Sequence, residues 1–194
     1  MKEQLILASR NKGKIKEIEF LLKDSPYEVI GMDAAGFSDD IEETGTTLAE
    51  NAELKARYLH HKTGKAVLAE DSGLFIDALG GAPGIWSARY AGSHGDDVAN
   101  LELVLQNMKG QNNRTAHFAA CLCFIDHGGI AHFFTGSLHG IITHEPIGQN
   151  GFGYDPIFIP DGHEVTNAQL DPAVKNSMSH RAEAIGKWLG YIQP

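Results

Sequence analysis

The dipeptide Glu70-Asp71 follows directly on an apolar run, Ala66-Val67-Leu68-Ala69, and precedes Ser72-Gly73. No other feature constrains the fold as tightly. The run reads as a short buried strand that ends at a glycine turn. Two adjacent carboxylates at that point need partners, because burying an unpaired charge is costly. Such a pair has a cation to bind or a proton to take. A second acidic pair, Glu42-Glu43, lies upstream, with Lys14 and Lys55 nearby in sequence. Carboxylates with isolated lysines are what a protein needs to hold a metal-bound phosphate chain.

The elements around this point alternate in type. Leu5-Ile6-Leu7-Ala8 reads as a strand and Ser9 to Gly13 as a polar turn. Ile15, Ile18, Leu21 and Leu22 then fall on one helical face, and Glu28-Val29-Ile30 reads as a second strand. Thr47-Leu48-Ala49-Glu50 fits a capping box, opening a helix with Leu48, Ala52, Ala56 and Leu59 on one face and Gly64 at its end. Leu74-Phe75-Ile76 is a further apolar run, and Gly80 to Gly84 a rigid loop. Asp96 or Asp97 caps another helix, and residues 114–125 and 130–138 alternate as a hairpin. Pro156 to Ile159 is a short edge strand. Asp171-Pro172 starts a helix, and a last one buries Ile185, Trp188, Leu189 and Ile192. Intermixed helices and strands, with hairpins in the second half, predict a mixed α/β fold.

Composition narrows the function. With 194 residues the chain suits one domain or a single two-lobed unit. Its net charge of -9 argues against a general nucleic-acid binder, which would carry a basic stripe. No stretch approaches the roughly 20 apolar residues of a membrane span, and the apolar run at the start is too short for a signal peptide. Cys121 and Cys123, at i, i+2 on a strand, match neither a redox pair nor a zinc site and read as buried reduced thiols. The cytoplasm is the expected location. The ten histidines show no metal-binding spacing.

Five segments carry chemistry. Ser9-Arg10-Asn11-Lys12-Gly13-Lys14 joins a strand to a helix start, where backbone N–H groups and a lysine suit phosphate. Glu42-Glu43-Thr44-Gly45 comes with Asn51 and Lys55, and Glu70-Asp71 comes with Ser72. Glu42 or Glu43 together with Glu70 and Asp71 would supply oxygens for Mg²⁺, which takes a few carboxylates, waters and phosphate oxygens. Gly151-Phe152-Gly153-Tyr154-Asp155 lets a ligand approach backbone and offers an aromatic face to a planar base. Ser179-His180-Arg181, with Lys175 just before, supplies donors for carbonyl oxygens. The aromatics of Trp86 to Tyr90 suit core, cleft or subunit contact equally.

In this order the segments SRNKGK, EETGTTLAENAELKA, EDSG, GGAPGIWSARYAG, GFGYDPIF and SHR resemble the Ham1/RdgB family of inosine/xanthosine triphosphate pyrophosphatases, from Leu7 to about Ile185. The resemblance implies an elongated mixed sheet flanked by helices, with two lobes around a central substrate cleft, and usually a homodimer. It implies Mg²⁺-dependent hydrolysis of a purine nucleoside triphosphate between the α and β phosphates. ITP, dITP and XTP are the implied substrates, and cleansing of the nucleotide pool the implied role. By motif, Ser9, Arg10, Asn11, Lys12, Gly13, Lys14 and Lys55 would grip the triphosphate. Glu42 or Glu43, with Glu70, would serve Mg²⁺. Asp71 would be general base and metal-associated acid, and Ser72 would lie beside the substrate. Phe152, Gly153, Tyr154, Asp155, Lys175, His180 and Arg181 would enclose the base. The family's DDSG reads EDSG here, with Glu70 one methylene longer. The alternatives are a pyrophosphatase for another modified nucleotide and a nucleotide sensor without turnover.

Overall fold

The structure is a computed structural model that describes residues 2–192. Six strands form one mixed sheet in the order β2-β1-β3-β4-β5-β6. They are β1 (Glu3–Leu7), β2 (Tyr27–Gly31), β3 (Val67–Ile76), β4 (Thr115–Ile125), β5 (Ala131–Ile142) and β6 (Phe158–Pro160). The helices are α1 (Lys12–Leu21), α2 (Leu48–Thr63), α3 (Asp97–Asn107), α4 (Pro172–Ser177) and α5 (His180–Ile192). Strand β1 runs parallel to both β2 and β3, while β5 and β6 are antiparallel. The α/β class expected from the sequence is therefore the class found. No helix among the described residues is long and apolar enough to cross a membrane.

The chain divides into two compact units. The first comprises residues 1–71, 120–136 and 181–194, and the second residues 72–119 and 137–180. In the first unit the strands alternate strictly. Leu5 and Leu7, Leu68, and Leu122 and Phe124 face one way, against Ile18 and Leu22 at α1 and Ala184, Ile185 and Trp188 of α5. Ile6 and Ala8, Val67 and Ala69, and Cys123 and Ile125 face the other way, against Ala52, Ala56 and Leu59 of α2. Period-two patterning thus builds two apolar layers, each covered by helices of matching periodicity. In the second unit Leu74 and Ile76 pack with Leu101 and Val104 of α3 and with Tyr154, Ile157 and Phe158.

Two expectations fail. Pro156 and Ile157 lie in a 3-10 helix, Asp155–Ile157, so the edge strand begins only at Phe158. Glu70 and Asp71 do not end a strand, and Ser72-Gly73 is no turn: β3 runs unbroken from Val67 to Ile76. Gly73 is extended within β3, and it is glycine because a Cβ there would lie 2.2 Å from the Gly84 carbonyl oxygen. The caps are as the sequence implies. Thr47 and Glu50 form the capping box of α2, and Gly64 closes it in the left-handed conformation.

Candidate active site

The alternation of β3 decides where its two carboxylates go. Glu70 shares the face of Leu68, towards α1 and α5, and Asp71 shares the face of Ala69, towards α2. Each meets its own partners. Lys14 Nζ stands 2.9 Å from Glu70 Oε2, and Arg181 Nε 3.2 Å from Glu70 Oε1. Arg181 also pairs with Glu17 at 2.8 Å, and all three of Glu17, Glu70 and Arg181 are buried. On the other face Lys55 Nζ lies 2.7 Å from Glu43 and 3.4 Å from Asp71. Asn51, fully buried, donates from Nδ2 to Asp71 Oδ2 at 3.2 Å and accepts the Gly45 N–H at 2.8 Å. A Cβ on Gly45 would lie 2.6 Å from Asn51 Oδ1, so glycine is what lets the Glu43 loop close on Asn51.

The electrostatics follow from this burial. Desolvation raises the Asp71 carboxyl above its usual range, against the pull of Lys55 and Lys14. Burial would lower Lys55, but Asp71 and Glu43 outweigh it and hold the ammonium above the ordinary lysine value. Glu43 and Asp71 thus share one ammonium, whereas Glu42 is exposed. Among the described residues no three carboxylate, histidine or cysteine side chains converge. Two hard carboxylates suit Mg²⁺, which completes its shell with water and substrate oxygens.

The Ser9–Lys14 segment is partly committed to its own cap. Asn11 Oδ1 accepts the N–H groups of Gly13 at 2.9 Å and Lys14 at 3.1 Å, and Ser9 Oγ accepts from Asn11. Arg10 turns to Asp33 at 2.9 Å and to the Asp39 carbonyl, and Lys12 is exposed. Of this segment, only the Lys14 side chain reaches the β3 carboxylates.

The second unit holds the aromatic loop. Asp155 organises it: Oδ2 accepts from Lys175 Nζ at 2.5 Å and the Phe152 N–H at 2.9 Å, and Oδ1 from Asn167 at 3.2 Å. Gly151, at φ +79, leaves the space, since a Cβ there would lie 2.1 Å from Asp155 Oδ2. Lys175 Nζ stands 5.1 Å from the Phe152 ring centroid. The Gly153 N–H donates to Asp97 Oδ2 at 2.9 Å, and Tyr154 Oη to the Ser87 carbonyl at 2.8 Å. The His180 ring lies flat on Phe118, 5.1 Å between centroids and 11° between planes. Ser72 is half-buried on β3.

The expected site residues therefore separate. Glu43, Asp71 and Lys55 come together, as do Glu70, Lys14 and Arg181. Phe152, Gly153, Tyr154, Asp155 and Lys175 form one cluster in the other unit. Sequence reasoning missed Glu17, Ser87, Asp97, Phe118 and Asn167. Ser87 lies within the GGAPGIWSARYAG segment and Asp97 at a helix cap, signals that could have found them; Glu17, Phe118 and Asn167 sit in no pattern that separates them from ordinary helix, strand or loop residues.

The model of the Ham1 family matches residues 5–191. The chain is 44% identical to a dITP/XTP pyrophosphatase of Bacillus licheniformis over 187 residues, 95% of each chain. It is 46% identical to a protein of the same name from Bacillus subtilis, covering 95% of this chain and 94% of that one. The solved structure of the Staphylococcus aureus Ham1 protein superposes with a TM-score of 0.87 at 38% identity, covering 98% of both chains. That of a HAM1 protein from Coxiella burnetii gives 0.88 at 39% identity, covering 99% of this chain and 98% of the other.

Proposed function

This chain belongs to the Ham1 family, and we propose that it hydrolyses ITP, dITP and XTP between the α and β phosphates, releasing pyrophosphate and the nucleoside monophosphate. The relatives' names give the substrate class. The observation that carries the chemistry is the buried ammonium of Lys55, shared by Asp71 and Glu43.

Phosphoryl transfer asks for positioning and neutralised charge more than for covalent chemistry. Lys14 and Lys55 neutralise phosphate oxygens as the substrate enters. Asp71, held by Asn51, orients the attacking water and takes its proton. Glu43 and Asp71 would hold Mg²⁺, which when bound supplies further positive charge to the phosphates. Glu70 keeps Lys14 and Arg181 in place from the opposite face of β3.

The aromatic loop reads the base. Phe152 offers a stacking face, and Asp155 and Lys175 hold the loop that carries it. His180, its plane set by Phe118, donates to the 6-oxo group of hypoxanthine or xanthine. Adenine's 6-amino group would leave that donor unpaired, a mismatch that a hydrogen-bonding site rejects strongly. The protein acts in the cytoplasm as a homodimer and removes deaminated purines from the nucleotide pool.

The test is pyrophosphate release from ITP, XTP, GTP and ATP, with and without Mg²⁺. Mg²⁺-dependent release from ITP and XTP, with little from GTP or ATP, is the expected result. Folded protein that releases pyrophosphate from none of the four would overturn the reading.

A further inference from the structure

The segment Gly80–Arg89 has no role in the chemistry above. It folds back along the part of β3 that follows Asp71. The Gly81 N–H donates to the Ile76 carbonyl at 3.0 Å and the Ile76 N–H to that of Ala82 at 3.3 Å. Phe75 and Pro83 form an isolated antiparallel bridge. The Gly84 carbonyl sits against Gly73, where any side chain would collide with it.

One side chain fastens this loop. Ser87 is buried in a 3-10 helix, Gly84–Arg89. Its Oγ donates to the Gly84 carbonyl at 2.7 Å and accepts the Leu74 N–H at 2.9 Å. Its own carbonyl accepts Tyr154 Oη at 2.8 Å. Three pieces of chain therefore meet at a single residue: the strand two residues beyond Ser72, the Gly84 turn, and the aromatic loop. All lie in the second unit. One of these bonds ends on the aromatic loop assigned to the base, and another on β3 two residues beyond Ser72.

We propose that Ser87 is a positioning residue for the reaction, setting where the aromatic loop stands with respect to Ser72; the proposal rests on the function given above. Without its Oγ, the Leu74 N–H and the Gly84 carbonyl lose their bonds in a buried place, and such groups are expensive to leave unpaired. The 3-10 helix shifts to relieve them and carries the acceptor of Tyr154 with it. Binding and choice of base suffer first, because Asp71, Lys14 and Lys55 keep their own partners in the first unit.

The experiment measures kcat and KM for ITP and ATP with Ser87→Ala, Tyr154→Phe and the double variant, each shown to be folded at the assay temperature. Ser87→Ala is expected to raise KM for ITP by about tenfold and to cut the ITP-to-ATP ratio of kcat/KM by a similar factor, with kcat within about threefold, since misplacement of a positioning group by a fraction of an ångström has effects of this order. Tyr154→Phe moves both quantities in the same direction, and the double variant loses less than the product of the two. A Ser87→Ala protein with a lower melting temperature but wild-type KM and base preference overturns the proposal. If Ser87→Ala does not fold, Tyr154→Phe decides alone: a raised KM and weaker base preference support the proposal, and wild-type values overturn it. An inactive wild type overturns the parent reading and this one with it, and that failure is seen without any variant.

Discussion

Lys14 Nζ stands 2.9 Å from Glu70 Oε2, while the next residue on β3, Asp71, looks the other way, 3.4 Å from Lys55. Two adjacent acids are thus neutralised from opposite faces of one strand. Each helix layer supplies the cation for the carboxylate that points at it. The arrangement explains how the interior tolerates both charges, and it sets the behaviour of variants.

Glu70→Gln leaves Lys14 and Arg181 short of one anion in a buried place. Arg181 keeps Glu17, but the balance of the network is lost. Breaking a buried pair from one side costs about 3–5 kcal/mol. Denaturant titration should show a loss at the lower end of that range. A variant as stable as the wild type would show that Glu70 is not needed to hold the two cations.

Asp71→Asn separates catalysis from folding. Pyrophosphate release should fall by about a hundredfold to ten-thousandfold, the usual contribution of a general base. The fold should survive, because Asn is spared the burial cost of the charge and Lys55, which loses one of its two carboxylates, keeps Glu43. The folded Asp71 carboxyl is raised above its ordinary value of 3.8, so between that pH and the raised value the folded protein holds a proton that the unfolded chain has released. Stability therefore drops as pH rises from about 3.8 through the raised value, and the cost persists above it. Asn removes that cost and still accepts from Asn51. Thermal melts at pH 7 without metal, alongside ITP turnover, check both halves. Wild-type turnover in this variant would exclude the general-base role.

Metal and triphosphate should bind as mutual helpers. In the free protein Lys55 already occupies Glu43 and Asp71, so a divalent ion meets carboxylates that are paired. A triphosphate draws the lysine away, and linkage then requires each ligand to strengthen the other by the same factor. Calorimetry with Mg²⁺ alone, and again with an ITP analogue blocked between the α and β phosphates, should show at least about tenfold tighter metal binding in the second case, a coupling of ordinary size. Lys55→Met should tighten metal binding to the free protein. Equal Mg²⁺ affinity with and without the analogue would dismiss the idea.

The two thiols should be silent at working pH. Burial pushes Cys121 up to about 11 and Cys123 up to about 12, and the thiolate is the reactive form. A thiol reagent at pH 8 should label no cysteine in the native protein and both after denaturation. Rapid labelling of the native form would mean that the β4 core opens readily.

Sequence alone determined much of this protein, because local physics writes it in short range. Periodicity marked the strands and helices, Thr47-Leu48-Ala49-Glu50 announced the cap that opens α2, and Gly64 the residue that closes it. The order of the motifs pointed to the family, and the EDSG segment drew attention to two carboxylates that the fold buries and pairs with lysines. The pairings were not legible, since each joins residues far apart in the chain: Arg181 to Glu17, Asn51 to Asp71, Ser87 to Leu74 and Tyr154. Nor could the sequence tell that β3 continues through Ser72-Gly73, because a glycine that marks a turn and one that admits a neighbouring backbone look alike until the neighbour is present. Which face each acid takes was decided only when the α1 and α5 layer and the α2 layer closed over the sheet. Only in that packed state do burial and the nearest cation determine what a carboxylate can do.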